Sequence, residues 1–102
     1  MQEDITQTED GAILCPEGDV VAENEPRLRA ALRTLAASGV RDVMIDLKNV
    51  RMIDSCGLGL LIAAHNSLHK TGGRLSVIHA SADLMDLFRM MRMHQHFSIS
   101  GD

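Results

Sequence analysis

A carboxylate, a hydroxyl and a thiol occupy consecutive positions at Asp54, Ser55 and Cys56. Asp54 could serve as a general base, but the spacing of the sequence fixes no His or Cys as its partner, and no phosphate-binding loop is present. The Ser55 hydroxyl could instead accept a phosphoryl group from another protein. We therefore expect this segment to work by binding and the chain not to be an enzyme, with no catalytic residue of its own.

Five histidines are the other side chains that could do chemistry. His65 and His69 are four residues apart on a predicted helix and could in principle share a metal ion. The residues between them supply no acidic group of the kind that a zinc protease uses, and spacing does not place the other three histidines. We therefore expect no metal site and no cofactor, and we expect the histidines to be solvated or hydrogen-bonded.

The segment that must position Asp54 and Ser55 runs from Val43 to Leu61. It opens with an apolar run over residues 43–47, which is typical of a strand that is buried on both faces. After the turn, apolar residues recur at the spacing of one helix face, namely Leu58, Leu61, Ile62 and Leu68. Asp54 and Ser55 therefore lie where a loop after a strand turns into a helix.

Ser55 is predicted to be the N-cap of that helix and to be accessible to solvent, because a serine hydroxyl can accept a hydrogen bond from a first-turn amide. We expect the helix to begin near Gly57. Gly57 and Gly59 leave the first turn uncrowded, so that the backbone of another molecule can approach. Cys56 lies in the same turn, where a thiolate is favoured, and a redox-sensing role is one hypothesis. A small buried side chain is the interpretation that we prefer.

The chain before this segment is predicted to form a hairpin and a helix. Residues 3–8 and 12–15 form the two strands of the hairpin, with its turn at Asp10-Gly11. The helix begins at Asn24 or Glu25 and ends at Ser38-Gly39. Its predicted buried face comprises Leu28, Ala31, Leu32 and Leu35.

The chain after this segment continues the alternation of strands and helices. Residues 75–79 are predicted to form a strand, Ser81 to cap a third helix, and residues 97–99 to form a last short strand. The apolar face of the third helix is predicted to comprise Leu84, Leu87, Phe88 and Met91. This order predicts an α/β fold with a mixed, mostly parallel sheet, an N-terminal antiparallel hairpin and helices packed on the sheet.

Length and composition limit the possible functions. The chain has 102 residues, which fit one domain over residues 1–102. A net charge of −4 argues against a nucleic-acid partner. No apolar run reaches the ~18 residues that a membrane span requires, so we expect no membrane insertion. Two cysteines make no disulfide framework, and the acidic N-terminus lacks a signal-peptide core, so we expect a cytoplasmic protein.

The run from Asp54 to Gly59, preceded by an apolar strand and followed by a helix, Gly72-Gly73 and another strand, resembles the STAS domain family. More narrowly, it is similar to the bacterial anti-sigma factor antagonists. The similarity extends from about Ile13 to Ile99, and it implies a STAS-like single domain.

The resemblance also implies a function and a site. In that family the serine directly after the aspartate is phosphorylated by a kinase that is itself the anti-sigma factor, and this position is Ser55. The implied partners are a serine-kinase anti-sigma factor and a serine phosphatase, and the implied partner-binding residues are Asp54, Ser55, Cys56, Gly57, Leu58 and Gly59. An alternative is a cytoplasmic STAS subunit of a lipid-transport ABC system. The sequence predicts neither the client sigma factor nor the oligomeric state.

Overall fold

The computed structural model describes residues 3–9 and 11–101, in which five strands form one sheet in the order β1-β2-β3-β4-β5. The strands are β1 (Glu3–Gln7), β2 (Gly11–Pro16), β3 (Asp42–Asp46), β4 (Arg74–Ala80) and β5 (Ser98–Gly101). β1 pairs antiparallel with β2, and every later pair is parallel. The predicted mixed sheet with an N-terminal hairpin is confirmed. The predicted turn residue Asp10 lies outside the described residues.

A helix connects each parallel strand to the next. The helices are α1 (Glu25–Ala37), α2 (Ser55–Lys70) and α3 (Ala82–Met90), and a short 3-10 helix (Met93–Gln95) precedes β5. Gly39, with φ 86°, follows the end of α1, and Ser81 caps α3 by accepting a hydrogen bond from the Leu84 amide. Across residues 3–9 and 11–101, no helix has both the length and the apolar character needed to cross a bilayer.

The core lies between the sheet and the helices. Alternate residues of the central strands are buried because side chains along a strand point to opposite faces. These residues are Ala12, Leu14, Val43, Ile45, Leu75 and Val77. The helices cover them with Leu28, Leu35, Leu58, Leu61, Leu68, Leu84 and Phe88. The predicted helix faces are thus largely correct, with Leu32 and Leu87 packed at the margin of the core.

Met91 is the error in the predicted face of α3. Its side chain is 52% exposed. The helix ends at Met90, and Arg92 then adopts the left-handed conformation with φ 56°. Because the backbone leaves the helical path here, the helical spacing that places Leu84 and Phe88 inside no longer applies to residue 91.

Candidate functional site

Asp54, and not Ser55, is the N-cap of α2. The Asp54 backbone is extended, with φ −97° and ψ −175°, and its Oδ1 accepts a hydrogen bond from the Gly57 amide at 2.9 Å. Ser55 is the first residue of the helix. The prediction that Ser55 is the N-cap is therefore wrong by one residue, and the helix begins two residues before Gly57. A carboxylate suits the cap because the first turn of a helix presents free amides and positive partial charge.

The second carboxylate oxygen of Asp54 ties the cap to another loop. Oδ2 accepts a hydrogen bond from the Ala22 amide at 2.9 Å, from a residue 32 positions earlier in the chain. The Asp54 amide donates to the Val20 carbonyl at 3.3 Å, and the Val20 amide donates to the Met52 carbonyl at 3.0 Å. The loops of residues 17–24 and 47–54 are therefore joined at the start of α2, and Val20 and Ile53 form a parallel bridge there.

Asp19 is part of this arrangement and was not predicted. Its Oδ1 accepts hydrogen bonds from the Arg51 amide at 2.9 Å and from the Met52 amide at 3.2 Å. An aspartate after a glycine in a loop is a common acceptor for backbone amides, which is the sequence signal that could have identified it. The partner amides lie more than 30 positions away, so the sequence does not indicate which amides it binds.

The hydrogen bonds also fix the charge of Asp54. The pKa of this carboxyl is lowered, first by the Gly57 amide and next by the Ala22 amide, because both bonds favour the ionised form. Both of its oxygens already accept backbone hydrogen bonds. Asp54 therefore holds the turn as a carboxylate, and a role as general base does not fit this geometry.

Gly57 allows the two loops to meet. It is buried, and a Cβ atom at this position would overlap the Val20 carbonyl oxygen and lie 2.8 Å from Val20 Cγ1. The close backbone approach that a glycine permits is therefore made here within the chain. Gly59 differs, because it is exposed and a Cβ atom there would have no neighbour within 4 Å.

The first turn of α2 presents Ser55, Cys56 and Gly59 to solvent, while Gly57 and Leu58 face the core. The predicted exposure of Ser55 is confirmed. The prediction that Cys56 is buried is wrong, because helical periodicity places residues 57, 58 and 61 inward and leaves residue 56 at the surface. Met52, two residues before the cap, is 59% exposed. We call Met52, Ser55, Cys56 and Gly59 the Ser55 surface.

The histidines lie in two other places. His79, which has φ 57°, places its Nδ1 2.9 Å from Oδ1 of Asp46, a buried carboxylate at the end of β3. His65 and His69 lie on α2 near His96. In the described part of the chain, no group of three or more His, Cys, Asp or Glu side chains could hold a metal ion.

Known proteins share this sequence pattern and this fold. The family model of the STAS domain matches residues 3–102. The anti-sigma-B factor antagonist of Bacillus subtilis is 32% identical over 98 residues, which cover 96% of this chain and 89% of that protein.

Two solved structures of the anti-sigma factor antagonist SpoIIAA also match the fold of this chain. The phosphorylated one is that of the Bacillus protein. Its unphosphorylated form has a TM-score of 0.75 at 17% identity and covers 99% of this chain and 88% of that chain. Its phosphorylated form has a TM-score of 0.76 at 16% identity and covers 99% of this chain and 93% of that chain. At these identities the two structures show a shared fold.

Proposed function

The chain belongs to the STAS domain family, in which it is a relative of the anti-sigma factor antagonists, and from this we propose that it is itself an anti-sigma factor antagonist. It acts by binding. When Ser55 is unmodified, the chain engages a serine-kinase anti-sigma factor and frees the client of that factor. When the kinase phosphorylates Ser55, the chain lets go, and a serine phosphatase restores the binding form. The observation that carries this proposal is the exposed Ser55 hydroxyl in the first turn of α2.

The Ser55 surface is suited to recognition because it is exposed and yet held in place. Ser55, Cys56 and Gly59 are the exposed members of the predicted partner-binding set. Gly57 and Leu58 support them from inside, and Asp54 fixes the turn through two backbone hydrogen bonds. A surface organised before binding loses less conformational entropy when the partner docks.

Electrostatics explain how phosphorylation can release a partner. A phosphate on Ser55 adds a charge of about −1.5 to −2 beside the ionised Asp54 carboxylate. The start of α2 stabilises that charge, so the modified chain stays folded. A partner shaped to the neutral hydroxyl would have to bury the phosphate without a counter-charge. This weakens binding by several kcal/mol.

The relatives favour this function over the alternative of a structural subunit in a lipid-transport ABC system. The 32% identical Bacillus subtilis protein is an anti-sigma-B factor antagonist, and SpoIIAA has solved structures in both its phosphorylated and unphosphorylated forms. In this proposal the nucleotide belongs to the kinase, and the chain contributes the acceptor serine and the docking surface. We place the activity in the cytoplasm, without nucleic acid as a direct partner.

The test combines a kinase assay with binding measurements. The chain is incubated with a candidate serine-kinase anti-sigma factor from the same organism and with ATP, and intact mass reports one added phosphate. Ser55→Ala should remain unmodified and should bind the kinase like the wild type, because Asp54 makes the capping bond of α2 and alanine at residue 55 leaves it in place. Ser55→Asp should bind at least about tenfold more weakly, or roughly 1.4 kcal/mol.

Ser67→Ala, an exposed serine near the other end of α2, is the matched control and should behave like the wild type in both assays. Phosphorylation of Ser55→Ala, or undiminished binding by Ser55→Asp, would contradict the proposal. In that case the structural-subunit alternative would gain support.

A further inference from the structure

A groove lies at the sheet edge opposite the Ser55 surface. Parallel strands share one direction, so α2 begins at their carboxyl edge and returns to the edge where β4 and β5 begin. There the end of α2, the start of β4 and the segment before β5 enclose about 490 Å³. That volume is in the range of small-molecule sites, roughly 300–1,000 Å³. Its polar lining comprises His65, His69, Arg74, Ser76, His96 and Ser98.

Three imidazoles are gathered on one side of this groove. The ring centre of His65 lies 5.8 Å from that of His69 and 6.3 Å from that of His96. The ring centre of Phe97 lies 5.7 Å from that of His65. His65 Nδ1 is buried and has no hydrogen-bond partner in the described part of the chain.

The lining carries positive charge without a counter-charge. Arg74 is exposed and forms no ion pair with any acidic side chain in the described ranges, and no Asp or Glu among the described residues lines the groove. Burial, then His69, then His96 lower the pKa of His65, because each disfavours a further positive charge. An anion in the groove would oppose these effects, whereas a cation would add to them.

We propose that this groove binds a small oxyanion, a carboxylate or phosphate group of a metabolite, through Arg74 and the three imidazoles. The Arg74 guanidinium supplies paired donors that match an oxyanion, and protonated imidazoles add further donors. The hydroxyls of Ser76 and Ser98 complete the polar lining. A metal ion is the competing ligand for three histidines, but these side chains do not form a group that could hold one.

Binding of an anion to this groove takes up protons. Because the anion favours the protonated form of His65, it raises the pKa of this side chain from its lowered value. The neighbours of His65 are His69 on its own helix and His96 before β5, and Arg74 of β4 lines the same groove; none of the three is acidic. Affinity for an anion of constant charge therefore rises as the pH falls through the titration range of histidine.

The test uses inorganic sulfate, which remains a dianion over the pH range of interest. Calorimetry and histidine ring NMR are recorded on the full chain at about pH 6 and about pH 8. We expect saturable binding that is at least about tenfold tighter at the lower pH, with shifts at His65, His69 and His96 that exceed those at His94. Arg74→Gln should weaken binding at least about fivefold, whereas Arg89→Gln, an exposed arginine outside the groove, should not.

His69→Gln provides a second variant, with the exposed His94→Gln as its control, and thermal unfolding confirms that each variant is folded. Equal, non-saturating shifts at all five histidines would overturn the proposal. So would zinc binding that displaces sulfate and is unchanged in Arg74→Gln. Ser55→Asp should leave sulfate affinity unchanged, so this site and the proposed partner switch can fail independently.

Discussion

Gly57→Ala and Gly59→Ala are two identical chemical changes, two positions apart on α2, for which we expect opposite effects on stability. At residue 57 a new methyl group would overlap the Val20 carbonyl oxygen and approach Ile53 Cγ2 to 2.9 Å. Neither neighbour can move away without disturbing other contacts, because Val20 and Ile53 are buried and joined by a parallel bridge. At residue 59 the same methyl group would meet nothing within 4 Å.

The expected magnitudes combine one stabilising contribution and two destabilising ones. Alanine in place of a helical glycine stabilises by about 0.8–1 kcal/mol when the site is open, which is the expectation for Gly59→Ala. Overpacking of a filled interior costs about 1–3 kcal/mol. Separation of the two loops would also weaken the hydrogen bond from the Val20 amide to the Met52 carbonyl, which costs about 1 kcal/mol of stability. The free energy of unfolding of Gly57→Ala should therefore fall by about 2 kcal/mol.

Thermal and urea unfolding of the isolated chain measure both effects. For a chain of this size, 1 kcal/mol corresponds to a Tm change of about 4–8 °C. Gly57→Ala should therefore unfold about 8–16 °C below the wild type, and Gly59→Ala about 3–8 °C above it. An NMR spectrum should show shifted Val20 and Asp54 amides in Gly57→Ala and unshifted ones in Gly59→Ala. Equal stability of the two variants would refute the assignment of Gly57 to an internal contact.

Three further predictions concern Asp46, Cys56 and Arg92. Burial tends to raise the pKa of Asp46, but the hydrogen bonds from His79 and the Lys48 amide outweigh it and lower the pKa below 3.8. A carboxyl whose pKa is lowered in the folded state stabilises the fold at pH values above its ordinary pKa, and this stabilisation is lost as the pH falls. The free energy of unfolding, measured with urea from about pH 5 to pH 3, should therefore fall more steeply with pH in the wild type than in Asp46→Asn. Equal slopes would mean that these hydrogen bonds do not lower the pKa of Asp46. Cys56→Ser should change the free energy of unfolding by less than about 0.5 kcal/mol, and a thiol reagent should label Cys56 in the folded chain, whereas slow labelling would contradict its exposure. Arg92→Gly should raise the free energy of unfolding by up to about 1 kcal/mol in a denaturation assay, because glycine adopts φ 56° without the steric cost; an unchanged or lower value would mean that the arginine is not strained.

Periodicity and turn chemistry were enough to predict the order of the elements. Short apolar runs predict the strands, the spacing of Leu28 and Leu35 predicts α1, and the prediction that Ser81 caps α3 is confirmed. These signals are local, because each depends on residues within one or two turns of the chain. The family resemblance agrees with the fold that they predict.

The details of the site depend on contacts that local signals do not contain. Asp54 and Ser55 are both favourable N-cap residues, and the Ala22 amide, 32 positions away, gives Asp54 a second bond. The same loop contact buries Gly57. Cys56 was assigned to the interior by its residue type, and Met91 by a helical spacing that continued past the end of α3.

The strand order has a consequence for how the chain folds. Each strand of the sheet lies next to its neighbour in sequence, from β1 through β5. No strand is inserted between two strands that precede it in the chain. Each step therefore closes only the connection between consecutive strands, which costs less entropy than closing a longer loop. The β1–β2 hairpin can form first, and each following helix and strand can then add to an existing edge. Because every strand pairs with a strand that is adjacent in sequence, we expect this chain to fold faster than sheets in which late strands enter the centre.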